Sequence, residues 1–136
     1  MNPMFDRTRT LEQLECSDWG GPAFDSALVM MIHQLRRRPI NSLSVEDLRI
    51  LIGQNVGLPY LISLAIERLA DGPLTRGDLY RGDLLKQVLS LEPEFWRTHT
   101  ELYKEVEKVI SDLEIIRDTI ENELLLAAGH FRGNKS

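Results

Sequence analysis

The longest uninterrupted segment of this sequence is residues 94–128, which contain neither proline nor glycine. Because these two residues are the strongest helix breakers, a segment of this length favours one long helix, or two with a break near Thr98. Eight apolar side chains recur in it at steps of 7, 4, 3, 4, 3, 4 and 4 residues: Phe95, Leu102, Val106, Val109, Leu113, Ile116, Ile120 and Leu124. The seven from Leu102 onward fall within about 80° on a helical wheel, which predicts one buried stripe.

Caps and helix breakers divide the rest of the chain into shorter helical segments. One helix is predicted from Ala23 to about Arg37, because Pro39 prevents its continuation. Its buried face is predicted to consist of Leu28, Met31, Ile32 and Leu35. Ser44, three residues before Asp47, is the expected N-cap of the next helix.

Two further features punctuate the middle of the chain. Gly53 and Gly57 are predicted to form a turn, and Pro59 to begin the helix that follows. A short repeat reads RGDLY at residues 76–80 and RGDLL at residues 81–85. We interpret it as a turn followed by a helix that Asp83 caps.

Length and composition fit one globular domain. The chain has 136 residues, of which 43% are apolar and 27% charged. No segment alternates with period two for long enough to predict a strand. The predicted fold is therefore all-α, a single compact helical domain of about five or six helices with a long C-terminal helix. This domain is placed at residues 10–129, where Gly129 ends the last helix, with a flexible N-terminal tail at 1–9 and a frayed C-terminal tail at 130–136.

Negative charge is concentrated in the last third of the chain. Residues 1–90 hold 11 acidic and 10 basic side chains, whereas residues 91–128 hold 10 acidic and 4 basic ones. Nucleic-acid binding needs clustered lysine and arginine, so this distribution argues against nucleic acid as the direct partner. A basic protein partner is compatible with it.

The sequence also predicts where the protein works. The N-terminus carries several charged residues and no apolar run, so no signal peptide is predicted. No apolar stretch approaches the roughly 20 residues needed to cross a bilayer, and we predict no membrane partner. The single cysteine, Cys16, allows no internal disulfide. These features predict a soluble cytoplasmic protein.

No constellation of residues typical of catalysis stands out. His33, His99 and His130 are far apart and lack a second ligand at metal-binding spacing. The glycines at residues 53–57 lack the spacing and the Lys-Ser/Thr pair of a phosphate-binding loop. We therefore predict that the protein is not an enzyme and uses neither metal nor cofactor.

A family resemblance is centred on residues 44–61, which read SVEDLRILIGQNVGLPYL. These residues resemble the central signature of a family of bacterial contact-dependent growth inhibition immunity proteins. The likeness continues through GDLY at 77–80, GDLL at 82–85 and FW at 95–96, and Leu11-Glu12 with Trp19-Gly20 resembles the family's opening. It spans roughly residues 10–97.

The resemblance implies a function. Such a protein binds the toxin domain at the C-terminus of a large exported effector, here expected in a 1:1 complex, and neutralises it by occluding its active site or an essential surface. The alternative is a helical adaptor or transcriptional cofactor that acts by protein–protein binding. The resemblance brings no catalytic residues with it, and its signature residues are interpreted as determinants of the fold.

The toxin-binding residues are predicted from the wheel of the long helix. Four carboxylates lie about 100–160° from Leu102, on the outward side: they are Glu107, Glu114, Asp118 and Glu121. Ile115 and Leu126 lie at about 220–240°, also away from the stripe. In one interpretation the carboxylates steer a basic toxin that Ile115 anchors. In the other, an N-terminal helix covers Ile115 and Leu126, and the carboxylates only keep the protein soluble.

Overall fold

The chain folds into α-helices joined by short turns, in a computed structural model that describes residues 5–20 and 26–133. The helices are α1 (Leu11–Glu15), α2 (Ala27–Arg36), α3 (Val45–Gly53), α4 (Leu58–Asp71), α5 (Asp83–Leu89), α6 (Pro93–Thr98), α7 (Thr100–Thr119) and α8 (Leu125–Gly133). A 3₁₀ turn, Ile40–Ser42, precedes α3, and a π turn, Ile120–Leu124, joins α7 to α8. The described residues include no β-strand, so the all-α prediction with a long C-terminal helix is confirmed.

Two of the helix starts are fixed by reciprocal capping boxes. The Ser44 hydroxyl accepts the Asp47 backbone N–H at 3.1 Å, and the Asp47 carboxylate accepts the Ser44 N–H at 2.9 Å. Thr10 and Gln13 make the equivalent pair of bonds at the start of α1. Each box satisfies backbone donors that a helix leaves unpaired in its first turn. The predicted cap at Ser44 is confirmed.

Helix α4 lies at the centre of the core. It packs against α3, α5 and α7, and it buries an unbroken run of residues from Leu61 to Ile66. Within that run the Ser63 hydroxyl donates to the Pro59 carbonyl at 3.1 Å, so the helix satisfies its own buried polar group. The shorter helices thus enclose α4 from several sides.

The segment before α1 also contacts α4. The Phe5 ring meets the Tyr60 ring edge-on at a centroid distance of 5.2 Å, and Arg7 donates to the Glu67 carboxylate at 2.7 Å. The division into a domain at 10–129 with tails at 1–9 and 130–136 stays a prediction. Helix α8 itself ends at Gly133 and not at Gly129.

The predicted buried face of α2 is half wrong. Ile32 and Leu35 are buried, but Leu28 and Met31 are about 40% exposed. Arg36 is 1% exposed because its guanidinium donates to the Glu15 carboxylate at 2.9 Å and lies under the Trp19 ring. The pairing neutralises a charge that periodicity alone would place in solvent. Residues 23–25 of the predicted helix lie outside the described residues.

The C-terminal helix begins in the packed part of the molecule, residues 5–20 and 26–113, which we call the body, and it continues beyond this body. Leu102, Val106 and Val109 are buried, but Ile120 is 38% and Leu124 61% exposed. We call residues 114–133 the C-terminal arm, because within them only Ile116 and Ala128 are even partly buried. The prediction that the buried stripe reaches Leu124 is therefore wrong. Helix α4, against which α7 packs, has only 14 residues and gives the arm no surface to cover it.

The π turn also rotates the end of the arm. A π turn contains more residues than an α turn, so a residue returns to the same face about one position later. Leu113, Ile116 and Ile120 accordingly share a face with Leu125, five residues beyond Ile120. Leu124, which an unbroken α-helix would place there, is turned aside.

The turn between α3 and α4 provides a test of the fold. Gly57 has φ +63°, and a Cβ there would lie 2.7 Å from Leu11 Cδ2. We expect Gly57→Val to lower the free energy of unfolding by about 1–3 kcal/mol, because a β-branched residue is strained at positive φ. Urea denaturation measures the change. Gly72→Ala is the control, because Gly72 has an extended backbone and a Cβ there would lie 3.6 Å from Thr75 Oγ1. A Gly57 variant as stable as the parent would contradict the structural role given to the turn at Gly57.

Candidate functional site

The signature residues around Gly57 hold helices together. Asn55 and Gly57 both have positive φ, which turns the chain sharply between α3 and α4. Gly57 packs against Leu11, and the Tyr60 hydroxyl donates to the Leu14 carbonyl at 3.2 Å. The segment therefore locks α1 onto the start of α4, which agrees with its interpretation as a determinant of the fold.

The RGD repeat is organised by one buried carboxylate. Asp83 is 3% exposed and accepts backbone N–H groups from Gly77, Leu79 and Tyr80 at 2.6, 2.9 and 3.4 Å. Arg49 of α3 approaches the same carboxylate at 3.9 Å. The predicted capping role of Asp83 is thus wrong, because its side chain bonds backward to the loop and not forward along α5.

Glu46 links this loop to α3. Its carboxylate accepts the Asp78 backbone N–H at 2.9 Å and pairs with Arg49. The hydrogen bond from Arg49 lowers the pKa of Glu46 below its ordinary 4.5. Burial raises the pKa of Asp83, but the three backbone donors and the Arg49 charge outweigh it, so folding lowers that pKa below 3.8. The repeat serves the scaffold.

The carboxylates predicted to bind a partner all lie exposed on the C-terminal helix. Glu107 accepts a hydrogen bond from Tyr103, which raises the pKa of the Tyr103 hydroxyl, and Asp118 pairs with Arg117 at 3.3 Å. Glu114 and Glu121 have no ion pair or hydrogen bond within residues 5–20 and 26–133. Much of this negative charge is therefore available to a partner.

Ile115 and Leu126 are the apolar residues that the second interpretation placed under an N-terminal helix. They are 62% and 59% exposed. No segment of the described chain covers them, so the predicted covering by an N-terminal helix is wrong, whereas both roles given to the carboxylates stay predictions. The arm exposes apolar side chains beside its carboxylates.

The structure adds an apolar groove that the sequence did not reveal. It lies where the arm leaves the body, has a volume of about 310 Å³ and is lined mainly by Leu74, Leu113, Ile116, Ile120 and Leu125. Leu74 comes from the loop after α4, and it is 40% exposed. Helical periodicity indicated three of these residues, but neither the π turn nor the approach of Leu74 has a local signal in the sequence.

A second groove lies between α5, α6 and α7. It encloses about 490 Å³, and its lining includes Leu89, Trp96, Arg97 and Tyr103. The Trp96 and Tyr103 rings meet at 6.3 Å, so the groove has an aromatic wall. Nothing in this groove singles out a ligand.

The described residues contain neither a potential metal site nor a membrane-spanning helix. Within residues 5–20 and 26–133, no three histidine, cysteine, aspartate or glutamate side chains are grouped as a potential metal site. No helix in the same residues has the length and apolarity needed to span a membrane.

Most of the chain matches a known protein family. The sequence model of the CDI immunity proteins, where CDI is contact-dependent growth inhibition, matches residues 13–106. The chain belongs to this family. Family membership implies that this immunity protein neutralises a toxin. Curated proteins and solved structures gave no match.

The matched residues of the immunity protein cover the end of α1, all of α2 to α6 and the first part of α7. They include the turn at Gly57 and the loop around Asp83, which are the scaffold features described above. Glu107 and every residue of the C-terminal arm lie beyond the match. The family match therefore covers most of the packed helices and ends before the C-terminal arm begins.

The buried carboxylate predicts how the immunity protein responds to substitution. We expect Asp83→Asn to lower the free energy of unfolding by about 1–3 kcal/mol, because an amide replaces one acceptor oxygen by a donor facing backbone N–H groups. Asp78→Asn, at the equivalent position of the first repeat unit, is the control. Asp78 is exposed, and we expect a change within about 0.5 kcal/mol. Equal losses in the two variants would contradict the role given to Asp83.

The same carboxylate predicts a pH dependence. Folding lowers the pKa of Asp83 and Glu46, so their contribution to stability is complete above the ordinary values of 3.8 and 4.5. It is lost as the pH falls from these values toward the lower values of the folded state. Thermal melts across this acid range should therefore show a steeper loss of stability in the parent than in Asp83→Asn. Parallel curves would contradict the expected linkage.

Proposed function

We propose that this protein binds a cognate toxin domain in the cytoplasm of the cell that makes it, as a 1:1 complex. Binding occludes the active site or an essential surface of the toxin, and no catalysis by the immunity protein is needed. One observation carries the proposal beyond family membership. The C-terminal arm exposes carboxylates and large apolar side chains together, with no described residue covering either.

The apolar residues of the arm support a protein partner. Ile115, the three leucines 124–126 and Phe131 are each more than half exposed. Together they expose on the order of several hundred Å² of apolar surface, which in soluble proteins marks an interaction site. A few desolvated anchors of this kind commonly supply most of the binding free energy.

The carboxylates support a basic partner. Glu107, Glu114, Asp118 and Glu121 follow one outward side of the helix before and along the π turn. A row of like charge attracts a surface of opposite charge and accelerates its association. The substrate groove of a nuclease is one such basic surface, because it must bind phosphates.

The position of the arm outside the family match also supports the proposal. Each toxin presents a different surface to its own immunity protein, so residues that contact it are expected where the sequence departs from the shared scaffold. All five predicted contact residues, Glu107, Glu114, Ile115, Asp118 and Glu121, lie beyond residue 106. The body then serves to hold the arm in place.

Co-expression tests the function directly. We expect the protein to restore growth to cells that express the toxin domain encoded beside its gene, and the two purified proteins to sediment as a 1:1 complex. The toxin domain of an unrelated effector is the control and should not be neutralised. Growth arrest that persists although both proteins are present would refute the proposal.

Charge reversal tests the steering role. We expect the quadruple change of Glu107, Glu114, Asp118 and Glu121 to lysine to slow association with the toxin at least about tenfold in low salt, with a weaker salt dependence than the parent. The control reverses four exposed carboxylates of the body, Asp71, Asp78, Glu92 and Glu94, and so changes the net charge equally. Stopped-flow mixing measures both rates. If the two variants associate equally fast, these four carboxylates do not steer the toxin.

A further inference from the structure

We infer that the C-terminal arm enters a deep cleft of the toxin, one with apolar walls and a basic entrance. The inference rests on the proposed function and specifies the surface that the arm fits. It is carried by the way that apolar and charged side chains are distributed around and along the arm.

Exposed leucines lie on several sides of the arm. Leu124, Leu125 and Leu126 are consecutive and are 61%, 57% and 59% exposed. Consecutive helical side chains point about 100° apart, so these three span about 200°, more than half of the circumference. A flat partner surface would bury one of these directions and leave the others in water. Only a partner that surrounds the arm removes all three leucines from solvent.

The same distribution argues against a second copy of the chain as the occupant. Two paired helices bury a stripe on each partner, and the remaining faces stay in solvent. Leu125 shares the groove with Leu74 and Ile120, so a paired helix seated there would cover it. Leu124 and Leu126, on either side, would remain exposed.

The charge of the arm changes along its length. Glu114, Asp118, Glu121 and Glu123 lie in its first half, next to the body, whereas residues 124–133 contain no acidic side chain and carry the basic residues His130 and Arg132 near their end. Four of the six large apolar side chains that the arm exposes lie in this second half: Leu124, Leu125, Leu126 and Phe131. A complementary cleft is therefore basic at its entrance and apolar in its depth.

The length of the arm sets the depth of the cleft that can hold it. Residues 124–133 extend about 15 Å at 1.5 Å per residue, so the cleft must be at least about this deep. Ala127, Ala128 and Gly129 follow the three leucines, and their small side chains let the cleft wall approach the helix backbone closely. Enzymes bind their substrates in clefts, so an arm that fills this cleft excludes substrate from it.

The test is the double variant Leu124→Ser and Leu126→Ser. We expect its Kd for the toxin domain encoded beside the gene to rise at least about 100-fold, because two anchors lose their apolar contacts. The control is Leu28→Ser with Met30→Ser on α2, whose side chains are 41% and 42% exposed but lie off the arm. It should change the Kd less than about threefold, since exposed positions outside an interface contribute little. All four positions are exposed, so both variants should melt like the parent.

Hydrogen exchange provides a measurement that needs no variant. We expect the amides of residues 124–133 to exchange more slowly in the complex than in the free protein. Parental affinity in the Leu124/Leu126 variant, or unchanged exchange of the arm, would overturn the inference while the parent still neutralised toxin. A parent that is dimeric by sedimentation and becomes monomeric in this variant would overturn it too, because a second copy would then cover the leucines. Failure of the parent to bind toxin would instead refute the proposed function.

Discussion

The packing of α7 along α4 determines the shape of this molecule. Helix α4 buries seven of its 14 residues, and its length limits the distance over which a neighbouring helix can find an apolar partner. The C-terminal helix runs from Thr100 to Gly133 and so extends well beyond that limit. Its first half belongs to the core, and its second half must project. The arm is thus a geometric consequence of two helices of unequal length.

The projecting half can remain helical because the packed half nucleates it. Nucleation is the costly step in helix formation, and a turn already fixed by tertiary contacts lets propagation proceed at little cost. The arm sequence suits propagation, because leucine, alanine and glutamate are strong helix formers. A helix that needs no covering layer can therefore carry apolar residues on several faces.

The local features of the fold were predictable from the sequence, and the tertiary ones were not. The capping box at Ser44 and the turn at Gly57 depend on residues close in sequence, and both were predicted. The burial of Arg36 depends on Glu15, about twenty residues away, and the ion pair of Asp83 joins it to Arg49 of α3. Neither contact has a periodic signal. The helical wheel assumes an unbroken α-helix and therefore predicts Leu124 on the groove face. The π turn places Leu125 there instead.

The candidate site shows the same division. Its carboxylates and Ile115 were found from the wheel, because exposure on one outward side is a local property of a helix. Their role in binding stays a proposal. The groove with Leu74 was missed because it joins residues about forty positions apart.

The chain divides into a packed body and an exposed arm, and this division determines how substitutions affect the free energy of unfolding. The polar contacts of the body, such as those of Asp83 and Glu46, stabilise the fold through groups that are mostly withdrawn from the surface. Substitutions in the arm remove no core contact, so they can alter binding with little change in the free energy of unfolding. If the arm binds the toxin as proposed, the residues that set the specificity of binding differ from those that stabilise the fold, because the core contacts lie before residue 114.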